Sequence, residues 1–352
     1  MNSRKLTTAE IVEFGRELDA LRDKVRNDLG ARDVAHIRAV IRVARWTEAG
    51  GRGLLHFGIG PLSFLVGTTA LGIAKIIDNM EIGHNIMHGQ YDWTGDPTLK
   101  GNTYDWDSAC AADDWRHSHN YEHHTFTNVL GKDRDIGYAF LRVTPEQPWN
   151  VSHILQPITA AALALFFQWG VAMHDLRIAE TIQGKQPWRT LFQRGGPFAR
   201  KAAFQILKDY VLFPALALVN APRVLAGNAV ANVIRNLWTF AIIFCGHFPE
   251  GVQVFSEEEA KDESRGAWYL RQLGGSANIE GSALFHVMSG HLSHQIEHHL
   301  FPDLPAARYP EMAPAVRAIC EKYGQVYNTG SFGRQFGSVV KRLFVNALPQ
   351  AA

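Results

Sequence analysis

The chain of 352 residues lacks several features that would place a protein quickly. It has three cysteines, Cys110, Cys245 and Cys320, far apart and without a C-x-x-C pair. That excludes a disulfide scaffold, a cysteine zinc knuckle and a cysteine-ligated iron–sulfur cluster. It has no surplus of either charge, with 35 basic and 34 acidic residues and a formal net charge of +1. Nucleic-acid binders usually carry a basic excess, so the balance speaks against such a partner. The glycine pairs starting at Gly195 and Gly274 lack phosphate-loop spacing and read as turns. The first thirty residues mix charge with scattered apolar positions, which predicts an amphipathic helix and no secretory signal. The mean hydropathy of −0.12 is low for a pure bundle of membrane spans.

Long apolar runs are nevertheless present, at 54–77, 151–173, 211–221 and 225–248. A span needs about 20 apolar residues. The first two runs are long enough, and the last two reach that length as a hairpin with borrowed flanks. The alternative is a set of buried helices in a large soluble protein. Segment 33–45 reads as an amphipathic helix able to lie on a membrane surface. Segment 174–206 carries six basic residues against two acidic ones, which predicts a cytoplasmic loop. If all histidine clusters face one side, an even number of crossings must separate the second from the third. The run 151–173 is the candidate for a non-crossing element.

Histidine is the surplus residue, with 16 copies, most of them clustered. His84 and His88 sit in HNIMH, His119, His123 and His124 in HNYEHH, and His298 and His299 in QIEHH with Gln295. His247 ends the fourth apolar run. Residues four apart on an α-helix lie about 40° apart in projection and one turn apart in height. Each cluster therefore offers two or three imidazoles to one point. Imidazole suits iron, zinc, copper and nickel. Seven clustered histidines and His247 are too many for one metal and about right for two. One H-x-x-x-H alone would be weak, and an H-H pair alone could be a surface feature. Three clusters beside apolar runs are hard to explain without metal. His117, His291 and His294 stand near the clusters as candidate supporting residues, with His286 undecided. His36, His56, His153 and His174 read as surface or interfacial. Glu81, Glu122 and Glu297 either orient ligating imidazoles or are solvated helix charges. Trp106, Asp113, Asp114 and Trp115 either line an entrance or anchor the chain at the interface.

The three patterns, in this order and separation, resemble the histidine boxes of the membrane fatty acid desaturase family. DNMEIGHNIMHGQYDW, WRHSHNYEHHTFTNVLGKDRDIGY and HQIEHHLFPDLPAARYPEM are similar to the bacterial acyl-CoA desaturases of the mycobacterial type. The similarity runs from about Leu54 to Tyr327. It implies an all-α integral membrane bundle of about four spans with a cytoplasmic helical cap. An amphipathic segment (1–53) precedes the desaturase domain (54–327), and a tail (328–352) follows it. The resemblance implies two iron ions held by His84, His88, His119, His123, His124, His298 and His299. His247 matches an extra histidine of animal relatives. Dioxygen would be co-substrate and a long acyl chain the substrate, in a bacterial inner membrane with the site facing the cytoplasm.

Two features depart from the commoner family pattern. Gln295 stands where many relatives have histidine, and it either ligates, acts through water, or is replaced by its neighbour His294. No H-P-G-G haem motif occurs, so no fused cytochrome b5 domain is expected. Electrons would come from NADPH through a separate ferredoxin or flavin reductase. The basic loop 177–201 could dock that partner or a phosphorylated headgroup, although positive-inside topology already accounts for it. The leading reading is a desaturase making a cis double bond. A hydroxylase or other oxygenase on the same scaffold stays open, as do a zinc hydrolase and a metal transporter.

Overall fold

A computed structural model describes residues 3–349. Thr7 and Glu10 form a reciprocal capping box that starts α1 (Thr8–Asn27). A short turn leads into α2 (Ala31–Phe57), which is followed by α3 (Gly60–Ile76). Gly60 at φ +77° and Pro61 in the first turn restart the helix there. The apolar run beginning at residue 54 is therefore split between two helices. α3 continues through a π-helical turn (Ile77–His84) and a last turn to form one apolar helix, Gly60–Met87. α2 and α3 pack closely, since a Cβ on Gly51 would lie 2.9 Å from the Gly67 carbonyl oxygen. Small residues at such a contact let two helices approach without a side chain between them.

Further along, α4 (Gln156–Leu165) and α5 (Phe167–Asp175) are followed by α6 (Trp188–Ile206) and α7 (Ala221–His247). Gly195 and Gly196 lie inside α6, so the turn expected there is replaced by helix. The C-terminal part holds α8 (Arg265–Gly274), β1 (Asn278–Glu280), α9 (Gln295–Leu300), α10 (Tyr309–Lys322), β2 (Thr329–Ser331) and α11 (Phe332–Ala347). The two short strands pair in parallel.

About four spans were expected. Two described helices, Gly60–Met87 and Leu218–His247, are long and apolar enough to cross a membrane. A third crossing is reached only if Val151–Leu165 and Phe167–Ile182 count together, and they meet at 98°. That bend falls in the run expected not to cross. Run 211–221 breaks into short helical pieces and supplies no span of its own. Ile59, Leu62 and Leu65 lie bare at the start of the first long helix, and Leu218 and Val219 begin the second. They form an apolar girdle suited to lipid.

The polar end of the molecule has a core of its own. Phe14, Leu18 and Val25 of α1 pack with Tyr269, Ile296, Leu300, Tyr309 and Val316. Buried Arg308 bonds Asp33 at the start of α2 as well as Asp28 and Glu311. These contacts seat the N-terminal helices against α9 and α10, which carry and support the third histidine cluster.

Candidate metal centre

Box one lies where the π-helical turn of the first long helix ends, at His84, with His88 one turn on. Box two lies on a second π-helix, Arg116–His123, with His124 immediately after. This corrects the α-helical spacing assumed above. In an α-helix a residue five positions on points about 140° away. A π-helix bonds i to i+5 and has about 4.4 residues per turn. Positions four and five therefore fall on either side of the same line, and both His123 and His124 sit beside His119. The His119 ring centroid is 5.1 Å from that of His123 and 5.0 Å from that of His124. Box three occupies the short buried helix α9, and His247 is the last residue of α7.

The four sources converge. His84, His88, His119 and His298 form one group, and His123, His247 and His299 form another. His124 joins His298 and His299 in a third group lying between them. Within each group the ligand atoms all lie within 4.8 Å of one another.

The hydrogen bonds give the imidazoles a common orientation. Several Nδ1 atoms are engaged, whereas both ring nitrogens of His124 are without a partner. The Nδ1 of His84 meets Asn85 Oδ1 at 3.0 Å, that of His123 meets Asp133 Oδ2 at 3.0 Å, and that of His299 meets Gln272 Oε1 at 3.0 Å. His298 Nδ1 lies 3.4 Å from the Tyr309 hydroxyl, and His119 Nδ1 lies 3.8 Å from Asp135. The inward Nε2 atoms of His84, His88, His119, His123, His124, His298 and His299 are buried without a partner, as is His247 Nδ1. A proton held at Nδ1 leaves the Nε2 lone pair free, which is the form that ligates metal. Burial, reinforced by neighbouring imidazoles, pushes His124, His298 and His299 well below the usual histidine range. Burial also acts against charge on His123, but the Asp133 carboxylate outweighs it and the net shift is upward. The centre therefore combines neutral imidazoles with one carboxylate-supported histidine. An array of converging, unpartnered nitrogens fits transition-metal ions.

Gln295 sits at the edge of the centre, its Nε2 2.9 Å from His247 Nε2, with Oε1 buried and unpartnered. His294 packs against His286, ring centroids 4.5 Å apart, and belongs to none of the three groups. His291 donates to Glu81 at 2.8 Å. The three glutamates are all used elsewhere. Glu81 holds His291 and His36, Glu122 pairs with Arg177, and Glu297 accepts from Asn278 and Tyr327. The carboxylates beside the box imidazoles are Asp133 and Asp135, which sequence reasoning passed over. Their signal was the D-R-D just after box two. His153 and His174 are buried, contrary to the surface reading, and His174 lies 3.5 Å from Asp135.

A cavity opens from the centre, lined by His84, His119, His123 and His247 at one end. Trp106 and Trp115 form part of its wall, and Trp115 stacks on His119 at 4.4 Å.

Apolar helices ending in a buried polyhistidine centre beside a cavity define a helical membrane protein with a candidate metal site. Comparison with known proteins agrees. A fatty acid desaturase family model matches residues 59–331. The NADPH-dependent stearoyl-CoA 9-desaturase of Mycobacterium tuberculosis is 44% identical over 348 residues, covering 98% of this chain and 82% of the relative. The sn-1 linoleoyl-lipid 6-desaturase of Synechocystis is 27% identical over 276 residues, covering 75% of this chain and 74% of the relative. The chain belongs to the fatty acid desaturase family, and it is an oxidoreductase.

Proposed function

We propose that the protein is an acyl-CoA desaturase that introduces a cis double bond into a long acyl chain, at position 9 by analogy with the mycobacterial relative, whose name is stearoyl-CoA 9-desaturase. The observation that carries this reading is the convergence of unpartnered imidazole nitrogens from all three boxes on one buried centre beside the cavity. His84, His88, His119 and His298 would hold one iron, and His123, His247 and His299 the other, with His124 between the two groups. Gln295 acts on the second group through His247. Bound iron supplies the redox chemistry by which dioxygen removes two hydrogens from adjacent carbons. The chain's own residues have three tasks. Asn85, Asp133, Gln272 and Tyr309 orient the ligands, Trp115 closes the wall beside His119, and the cavity holds the acyl chain away from water.

Electrons come from NADPH through a separate ferredoxin or flavin reductase. The domain 54–327 carries the reaction, with 1–53 and 328–352 as flanking segments. The site faces the cytoplasm of a bacterial inner membrane, and the basic residues of segment 174–206 support that orientation. Arg194, Arg200 and Lys201 line a groove beside loop 102–116 together with Asp105, Asp113 and Asp114, and Lys201 pairs with Asp105. The test is expression in a bacterial host with a ferredoxin–reductase pair, followed by fatty-acid profiling and iron analysis. Unsaturated chains should appear with the native protein and not with His298→Ala. Hydroxylated products would assign the chain to the oxygenases, and a purified protein holding zinc without product would overturn the reading.

A further inference from the structure

α7 carries Arg235, Thr239, Ile243 and His247 at four-residue steps, and all four line the same cavity. Each step advances about 6 Å along a helix, so the cavity follows α7 for about 18 Å away from the metal centre. Asn79, Gln168 and Asn236 share the wall with Arg235. Arg235 is 2% exposed and lies within the long apolar helix Leu218–His247. Its Nε donates to Asn236 Oδ1 at 3.2 Å, while Nη2 is buried without a partner. It forms no ion pair among the described residues. Lys75 pairs with buried Asp209, and Lys208 with half-buried Asp107. Gln168 Oε1 and Thr239 Oγ1 are also unpartnered.

A guanidinium keeps its charge at every accessible pH. An apolar chain pressed against it would strip the polar contacts the charge requires, an expensive substitution in a low-dielectric interior. The part of the cavity that suits a hydrocarbon therefore ends before Arg235. We propose that Arg235 is a specificity-determining residue: the methyl end of the acyl chain stops beside Thr239, and Arg235 disfavours chains long enough to pass it. This rests on the desaturase reading of the cavity.

The test uses the full-length purified protein in detergent. Thermal stabilisation by a length series of saturated acyl-CoAs gives relative affinities without turnover. Product lengths from a mixed acyl-CoA pool are measured in parallel. Arg235→Leu should shift the preference toward longer chains by about tenfold in the long-to-short ratio, the discrimination one or two methylenes give in a hydrophobic pocket. Arg235→Lys should keep the native preference. Thr239→Leu, which fills the cavity one turn nearer the centre, should shift it toward shorter chains. If Arg235→Leu does not fold, Thr239→Leu decides alone, and an unchanged optimum overturns the proposal. An unchanged preference in Arg235→Leu overturns it too, as does an equal loss at all lengths or a moved double bond, either of which would place the thioester end at Arg235. A native protein stabilised by every length equally also defeats it. One stabilised by none would count against the acyl-CoA reading itself. A shifted binding optimum in a protein making no unsaturated product would support the proposal while the reaction assignment fell.

Discussion

At the scale of single residues, the centre depends on how each imidazole is held. His298 belongs to two of the three histidine groups. His298→Ala should abolish desaturation and lower bound iron, with membrane insertion unchanged. Activity assays, iron analysis and membrane fractionation check the three outcomes together. Asp133 holds His123 while itself accepting from the backbone N–H groups of Asn128 and Asp135. Asp133→Asn keeps the shape and removes the charge, and a lost supporting partner of this kind costs about 10- to 100-fold in metal affinity. Competition with a chelator would measure it. The candidate ligands were legible because imidazoles grouped at fixed short spacings beside apolar runs serve metal binding far better than they serve packing or solvation. Their supports were not. Glu81, Glu122 and Glu297 stood closer in sequence to the boxes, but their side chains turn to His291, Arg177 and Asn278. Asp133 and Asp135 reach the centre through a loop whose path no local pattern encodes.

At the scale of elements, box two depends on a π-helical turn, and box one follows directly on another. At α-helical spacing the pattern H-x-x-x-H-H brings His119 and His123 together but turns His124 aside. The wider turn brings all three to one side. A change of hydrogen-bond register leaves little trace in composition, so this feature had to be seen. The end of α7 is equally tight. A Cβ on Gly246 would meet Gln295 Cγ at 2.8 Å and Cδ at 2.9 Å. Gly246→Ala should displace the Gln295 amide from His247 and destabilise the protein by about 1–3 kcal/mol, as overpacking does. A lower unfolding temperature with weakened iron retention would show it. If Gln295→Ala retained iron as tightly as the native protein, Gln295 would have no part in the centre.

At the scale of the whole molecule, charge inside an apolar frame holds distant segments together. Lys75 of α3 pairs with Asp209 at 2.8 Å, and Lys208 pairs with Asp107 of the loop that covers the cavity wall. Burial alone would raise the Asp107 carboxyl, but Lys208 and Lys75 outweigh it and hold it well below the usual range. A carboxyl depressed in the folded state contributes stability above the unfolded value of about 3.9. That contribution is lost as pH falls through the folded value. Asp107→Asn should therefore lower stability by about 2 kcal/mol at neutral pH, where a charged hydrogen bond is removed. It should also flatten the decline expected of the native protein below about pH 5. Unfolding temperatures of both proteins across that range test the sign. The pairing was invisible beforehand because its members are about a hundred residues apart.

The amino-acid sequence by itself determined the helical membrane class, the polyhistidine chemistry and the family, because these depend on residue type and short-range spacing. The tertiary structure decided which histidines form each group, which carboxylates support them, how run 151–173 bends, and where an unpaired arginine meets the cavity. Those depend on side chains from remote segments meeting in a buried, low-dielectric interior. There, the free energy of a polar atom is set by the partner it finds.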